Sequence, residues 1–196
     1  MKLPKKAEYG LRAMIDLGIA HSLDHDRVPL STLAEAENLP TKFLEQIFLQ
    51  LRKDGFVKTQ RGKAGGYYIA RDISTIKVGE LVRALDGPLA PISCASQSAY
   101  ERCSCPDEEH CGLRMIMIDV RNAVSNILDR YSLKDVVEVT LRKIRRTGAD
   151  NYFLRMSQNA GQRPAPANPS DPRDGFLAEL AGELSTPTTK SHPPTK

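Results

Sequence analysis

Four cysteines, Cys94, Cys103, Cys105 and Cys111, fall within eighteen residues of a 196-residue chain that has no others. An iron–sulfur cluster needs several soft thiolates supplied from a flexible loop, and this group meets that need in kind. Zinc accepts four thiolates, or three with His110. Zinc sites usually show paired short spacings, however, and here only Cys103-Ser104-Cys105 is close. A third chemistry is thiol oxidation, for which the neighbouring Arg102 would favour the Cys103 thiolate. The residues leave all three open, with the iron–sulfur reading first.

The compartment bears on that choice. No apolar run reaches the length of about eighteen residues that a membrane span needs. Lys2, Lys5 and Lys6 lead into a polar helix rather than the apolar core of a signal peptide. The expectation is a cytoplasmic chain without a membrane partner, in which thiols stay reduced and serve metals or redox chemistry rather than a disulfide framework.

The elements that must position these thiols are readable from periodicity. Lys5 to Ser22 predicts a helix with Leu11, Met14, Ile15 and Leu17 as its apolar stripe. Pro29 to Glu37 predicts a second, with Pro in the first turn and Thr32 and Glu35 at capping-box spacing. After the turn Asn38-Leu39-Pro40, Thr41 to Lys53 predicts a third. Its Leu44, Ile47, Phe48 and Leu51 form a buried face, and Lys42, Glu45, Gln46 and Gln50 lie opposite. Phe56–Gln60 and Tyr67–Ala70 read as strands joined by a basic, glycine-rich turn. Helices are then expected over Lys77 to Leu85, Gly112 to Tyr131 and Ser132 to Ile144, and Asp86 to His110 is a loop leading to Cys111. From Thr147 the chain is rich in Pro, Asn, Ser, Thr and Gly, a composition that favours disorder, with one short amphipathic island at Phe176–Leu180.

The net charge is only +4, but the cations cluster: Lys58, Arg61, Lys63 and Arg71 around the hairpin, and Arg142, Lys143, Arg145 and Arg146 further on. Helix, tight turn, helix and a basic hairpin is the order of a winged helix-turn-helix. The second helix fits the DNA major groove, and the wing brings cations to phosphates or the minor groove. An exposed polar helix face alone would be ordinary solvated surface, and a glycine turn alone would be structural. Their joint order is far more restrictive. The rival class is an enzyme, but no CxxC lies at a strand-to-helix turn, no glycine-rich cofactor loop is present, and His21, His25, His110 and His192 fit no catalytic motif.

Several segments together carry a resemblance: Met1-Lys2-Leu3, Tyr9, Ala13-Met14, Leu44-Glu45-Gln46-Ile47-Phe48, Leu51-Arg52-Lys53-Asp54-Gly55, Arg61-Gly62 with Gly65-Gly66-Tyr67, and Val78-Gly79-Glu80. Over residues 1 to about 145 the chain resembles the Rrf-two (IscR/NsrR-type) family of bacterial transcription regulators. The resemblance implies a homodimer on a pseudo-palindromic operator in double-stranded DNA. The long helix would pair with its twin through Ile116, Val120, Val124 and Ile127. By position Lys42, Phe43, Glu45, Gln46 and Arg61 match DNA-contacting residues of the family, and Phe43 stands where relatives often have tyrosine. Gln50 and Lys63 join them from the helix face and the wing.

Cluster-binding relatives carry three cysteines here, the last two separated by five residues. Cys94, Cys105 and Cys111 match, and Cys103 is an additional thiol, so which of the four ligate stays open. A histidine ligand used by one relative is replaced by Arg114. An acidic ligand that others take from the first helix of the partner corresponds to Glu8, which is also an ordinary helix-surface carboxylate. The resemblance favours a 2Fe–2S cluster over 4Fe–4S.

The expected fold is mainly α with a small β-hairpin. It comprises a winged helix-turn-helix over residues 1–86, a cysteine-rich sensor loop over 87–111, a dimerisation helix and a following helix over 112–146, and a disordered tail over 147–196. The expected function is a transcriptional repressor, not an enzyme. Its cluster would sense iron, redox state, nitric oxide or cluster supply. The alternative is a zinc- or thiol-based redox-sensing regulator.

Overall fold

The structure, a computed structural model, describes residues 3–25, 27–62, 65–146 and 175–181. The chain divides into two units, residues 1–162 and 163–196. The described part of the second is one short helix, Phe176–Ala181, on the predicted amphipathic island; the rest of the expected disordered tail lies outside the described residues.

In the first unit the order is α1 (Lys5–Ser22), α2 (Leu30–Glu37), α3 (Thr41–Lys53), β1 (Val57–Gln60), β2 (Gly66–Ile69), α4 (Val78–Asp86), a 3-10 turn (Ser93–Ala95), α5 (Gly112–Arg130) and α6 (Leu133–Arg146). This is the expected mainly helical fold with one hairpin. The strands are antiparallel, with Val57 opposite Ile69 and Gln60 opposite Gly66. The α3 periodicity holds: Leu44, Ile47, Phe48 and Leu51 are buried in one cluster with Met14, Leu17 and Leu33. Asn38 ends α2 in the left-handed conformation, a role asparagine tolerates.

The predicted box at Thr32 and Glu35 is absent. Pro29 precedes the first residue of α2, so Thr32 lies inside the helix and no side chain caps that end. The reciprocal motif occurs instead before α6. There Ser132 Oγ and N–H donate to Asp135 Oδ2, each at 2.7 Å, and the Asp135 N–H donates to Ser132 Oγ at 3.2 Å.

The last helix returns to the first. Leu133 and Val137 are buried in the same core, and a Cβ on Gly18 of α1 would stand 2.7 Å from Val137 Cγ2. Backbone bonds secure the return: Val78 N–H to Tyr131 O, Leu133 N–H to Ile76 O and Lys134 N–H to Ile73 O. Gly79 of α4 is needed for close approach, because a Cβ there would collide with the Asp129 carboxylate of α5. That carboxylate accepts both terminal nitrogens of Arg83.

Two carboxyl groups are sunk into this core. Asp16 of α1 and Glu37 of α2 are both buried, and Arg12 reaches over to pair with Glu37. Burial, reinforced by the Glu37 charge, pushes the Asp16 carboxyl up to about 8.

Candidate nucleic-acid interface and sensor loop

The face of α3 opposite the core is open. Lys42, Phe43, Glu45 and Gln46 are exposed, while Gln50 is half-buried and its amide donates to Asp54 Oδ2 at 2.9 Å. Phe43 meets the edge of Tyr9 from α1, with ring centroids 5.9 Å apart, and Lys5 and Arg12 sit over that tyrosine. The aromatic at position 43 is thus braced by α1 while remaining 37% exposed. Arg61 is exposed at the hairpin end, and Lys63 lies outside the described residues. Among the described residues, Lys42, Arg52, Lys53, Lys58 and Arg61 form no ion pair. Arg71, grouped with the wing in the sequence, is instead paired with Glu80 at 2.7 Å.

Beyond α4 lies the cysteine loop. Cys94 is buried in the 3-10 turn, and Cys111 caps the start of α5, its carbonyl accepting the Met115 N–H at 3.1 Å. Both are free thiols, whereas Cys103 and Cys105 are joined in a disulfide. Among the described residues, no three of His, Cys, Asp and Glu are gathered into a group able to hold a metal ion. Glu8 pairs with Lys5 at 2.9 Å and with Arg12 at 3.6 Å, and His110 with Asp107.

Sequence reasoning missed what holds this loop. Arg114 Nε donates to the Cys94 carbonyl at 2.9 Å, and Arg121 Nη1 donates to the Ala95 carbonyl. Two guanidiniums, two turns apart on α5, therefore pin the turn that carries the first cysteine. Glu108 gathers the remainder: it pairs with Arg114, accepts the Tyr100 hydroxyl at 2.7 Å and accepts the Cys103 N–H at 3.4 Å. The bond to Glu108 holds the Tyr100 hydroxyl proton above its ordinary range. A signal existed, since Arg114 and Arg121 stand seven residues apart and so share one face of α5.

The helix itself is unusual. No residue of α5 is buried, although Leu113, Ile116, Val120 and Ile127 are all large and apolar, between 39% and 60% exposed. With exposed Ala123 they recur in alternating steps of three and four, the spacing of a coiled-coil seam. Val124, expected in the stripe, is half-buried.

The sequence model of the Rrf2 family, described as an iron-dependent transcriptional regulator, matches residues 3–139. The chain belongs to the Rrf2 family. An rrf2-like HTH-type transcriptional regulator of Rhodobacter capsulatus is 34% identical over 137 residues, 69% of this chain and 91% of the relative. Among solved structures, the global cysteine regulator CymR of B. subtilis superposes with a TM-score of 0.59 at 32% identity, covering 70% of this chain and 97% of CymR. IscR of T. potens gives 0.56 at 30% identity, with 70% and 87% covered. The helical architecture with its wing is the fold of these Rrf2 regulators, and transcription regulation through DNA is what the family does. No helix among the described residues is long and apolar enough to cross a membrane.

Proposed function

We propose that this Rrf2 regulator is a homodimeric repressor that lays α3 in the major groove of each half of a pseudo-palindromic operator. The carrying observation is α5, nineteen residues long with none buried and with an apolar seam on its surface. A second copy of the same seam covers it, and a two-fold pair of reading heads fits a two-fold operator. Lys42, Phe43, Glu45, Gln46 and Gln50 face the bases, while Arg61 and Lys63 of the wing meet phosphate or the minor groove. An electrophoretic mobility shift on the DNA upstream of its own gene tests this reading. Affinity falls steeply with salt, and Arg61→Ala weakens binding by up to about tenfold and flattens the salt slope by about one. Unchanged binding removes the wing contact.

The loop between the heads and the seam is the sensor. Four cysteines on one stretch suit iron–sulfur chemistry in kind once the Cys103–Cys105 bond is reduced, with Cys94, Cys105 and Cys111 as the primary ligands, Cys103 a further thiol and the partner's Glu8 an oxygen donor. A 2Fe–2S cluster bound there would supply a labile, redox-active tie among these residues; 4Fe–4S is the second choice. The chain's own part is mechanical. Arg114 and Arg121 fasten the Cys94 turn to α5, and Cys111 begins α5, so rearrangement of the loop acts on the seam. Anaerobic reconstitution with iron and sulfide analysis decides the point; a colourless, iron-free protein would sink it. The second reading, a zinc- or thiol-based switch, is favoured by one observation, the Cys103–Cys105 pairing.

A further inference from the structure

The family resemblance accounts for three cysteines and leaves Cys103 without a task. In the structure this extra thiol is bonded to Cys105, and the two Cα atoms are 5.4 Å apart, within the span a disulfide bridges. The other thiols are placed differently, Cys94 buried in its turn and Cys111 at the start of α5. The Cys103 N–H is held by Glu108, and the Cys105 N–H lies 3.0 Å from Cys103 Sγ, which keeps the two sulfurs adjacent. A single exposed serine, Ser104, separates them.

We propose that Cys103 and Cys105 form a site of reversible oxidation that controls whether Cys105 can act as a metal ligand. The second half of this proposal rests on the reading of Cys105 as a ligand; the first does not. With hydrogen peroxide as oxidant, the Cys103 thiolate, favoured by the adjacent Arg102, attacks an oxygen, the O–O bond breaks, and a sulfenic acid forms as water leaves. The second thiolate then attacks that sulfur, the S–S bond forms and a second water departs. Two thiols are oxidised by two electrons and the peroxide is reduced to two waters. A dithiol reductant reverses the reaction and is itself oxidised to a disulfide. Oxidised, the pair leaves Cys94 and Cys111 as the only thiolates; reduced, it returns Cys105.

The test uses the full chain, fully reduced under anaerobic conditions and then treated with peroxide. Trypsin cleavage after Arg102 and Arg114 releases residues 103–114, which hold three of the four cysteines. After peroxide, alkylation and fragmentation are expected to show Cys111 and Cys94 modified and Cys103 joined to Cys105. Alkylation of all four, or a bridge to Cys94 or Cys111, overturns the couple. Cobalt(II), added without thiol reductant, reports ligation through its thiolate charge-transfer band. The band is expected for reduced protein, lost on peroxide treatment and restored by a dithiol. In Cys103→Ser and Cys103→Ala it is expected to survive the same treatment. An oxidised wild type that keeps the band overturns the control of ligation. A reduced protein that never shows it overturns both that control and the ligand reading, while the peptide map still decides the couple by itself.

Discussion

Two amphipathic helices, α3 in the winged helix-turn-helix and α5 after the cysteine loop, contrast sharply. In α3 every large apolar residue of the core face is buried within the subunit, with Leu44, Ile47, Phe48 and Leu51 fully enclosed. In α5 the same residue types at equally regular spacing stay in solvent. Periodicity thus says which side of a helix wants covering and is silent on whether the cover comes from the same chain. Solvent exposure in the folded subunit makes that distinction.

Substitutions can break the contrast. Ile116→Glu places a carboxylate on the seam twice in a two-fold pair, at a cost of several kcal/mol in assembly. Sedimentation should show a dimer converted to monomer with helicity retained; unchanged mass would refute the seam. Phe48→Ala should cost about 3–5 kcal/mol of subunit stability, read from urea denaturation. The matching truncation Ile127→Ala should barely move the stability of the dissociated subunit.

A third measurement concerns the core that holds α3. Asp16 keeps its proton up to about pH 8 in the folded chain, because burial and the Glu37 charge disfavour the anion and Arg12 only partly offsets them. Unfolded, an aspartate titrates near pH 3.9. The folded state therefore binds the extra proton between these values, and stability falls as pH rises through that window, by at most about 1.4 kcal/mol per pH unit. Asp16→Asn should flatten the profile from about pH 5 to about pH 8; an unaltered slope would exclude this carboxyl as its source. The smallest effect is local. Arg114→Gln removes one charged bond from the Cys94 carbonyl, about 1 kcal/mol at a partly exposed site, and should speed alkylation of the buried Cys94 thiol in reduced protein.

The same contrast explains what could be read in the sequence. The α3 face and the hairpin were legible because both depend on local spacing: one buried side every turn, and glycines where the strands reverse. Pro29 gave the start of α2 and made the Thr32–Glu35 pair misleading, while the working box at Ser132 and Asp135 went unnoticed beside a stronger apolar pattern. The return of α6 was not legible, since Val137 meets Gly18 across most of the subunit's sequence. Nor was the loop's anchoring, in which side chains of α5 bond to backbone carbonyls that any sequence would offer. Of the expected site residues, α3 gathers Lys42, Phe43, Glu45 and Gln46 on one open face, while the four thiols are distributed as two free and two joined.

The stitching of Ser132 and Leu133 to the segment before α4 has a mechanical consequence. Together with the Arg83–Asp129 pair it fixes the far end of α5 to the reading head, so the helix is a cantilever about 28 Å long, rooted at one end and loaded by the cysteine loop at the other. In the proposed homodimer, its stiffness would set how far a small movement at Cys111 turns one head relative to its twin.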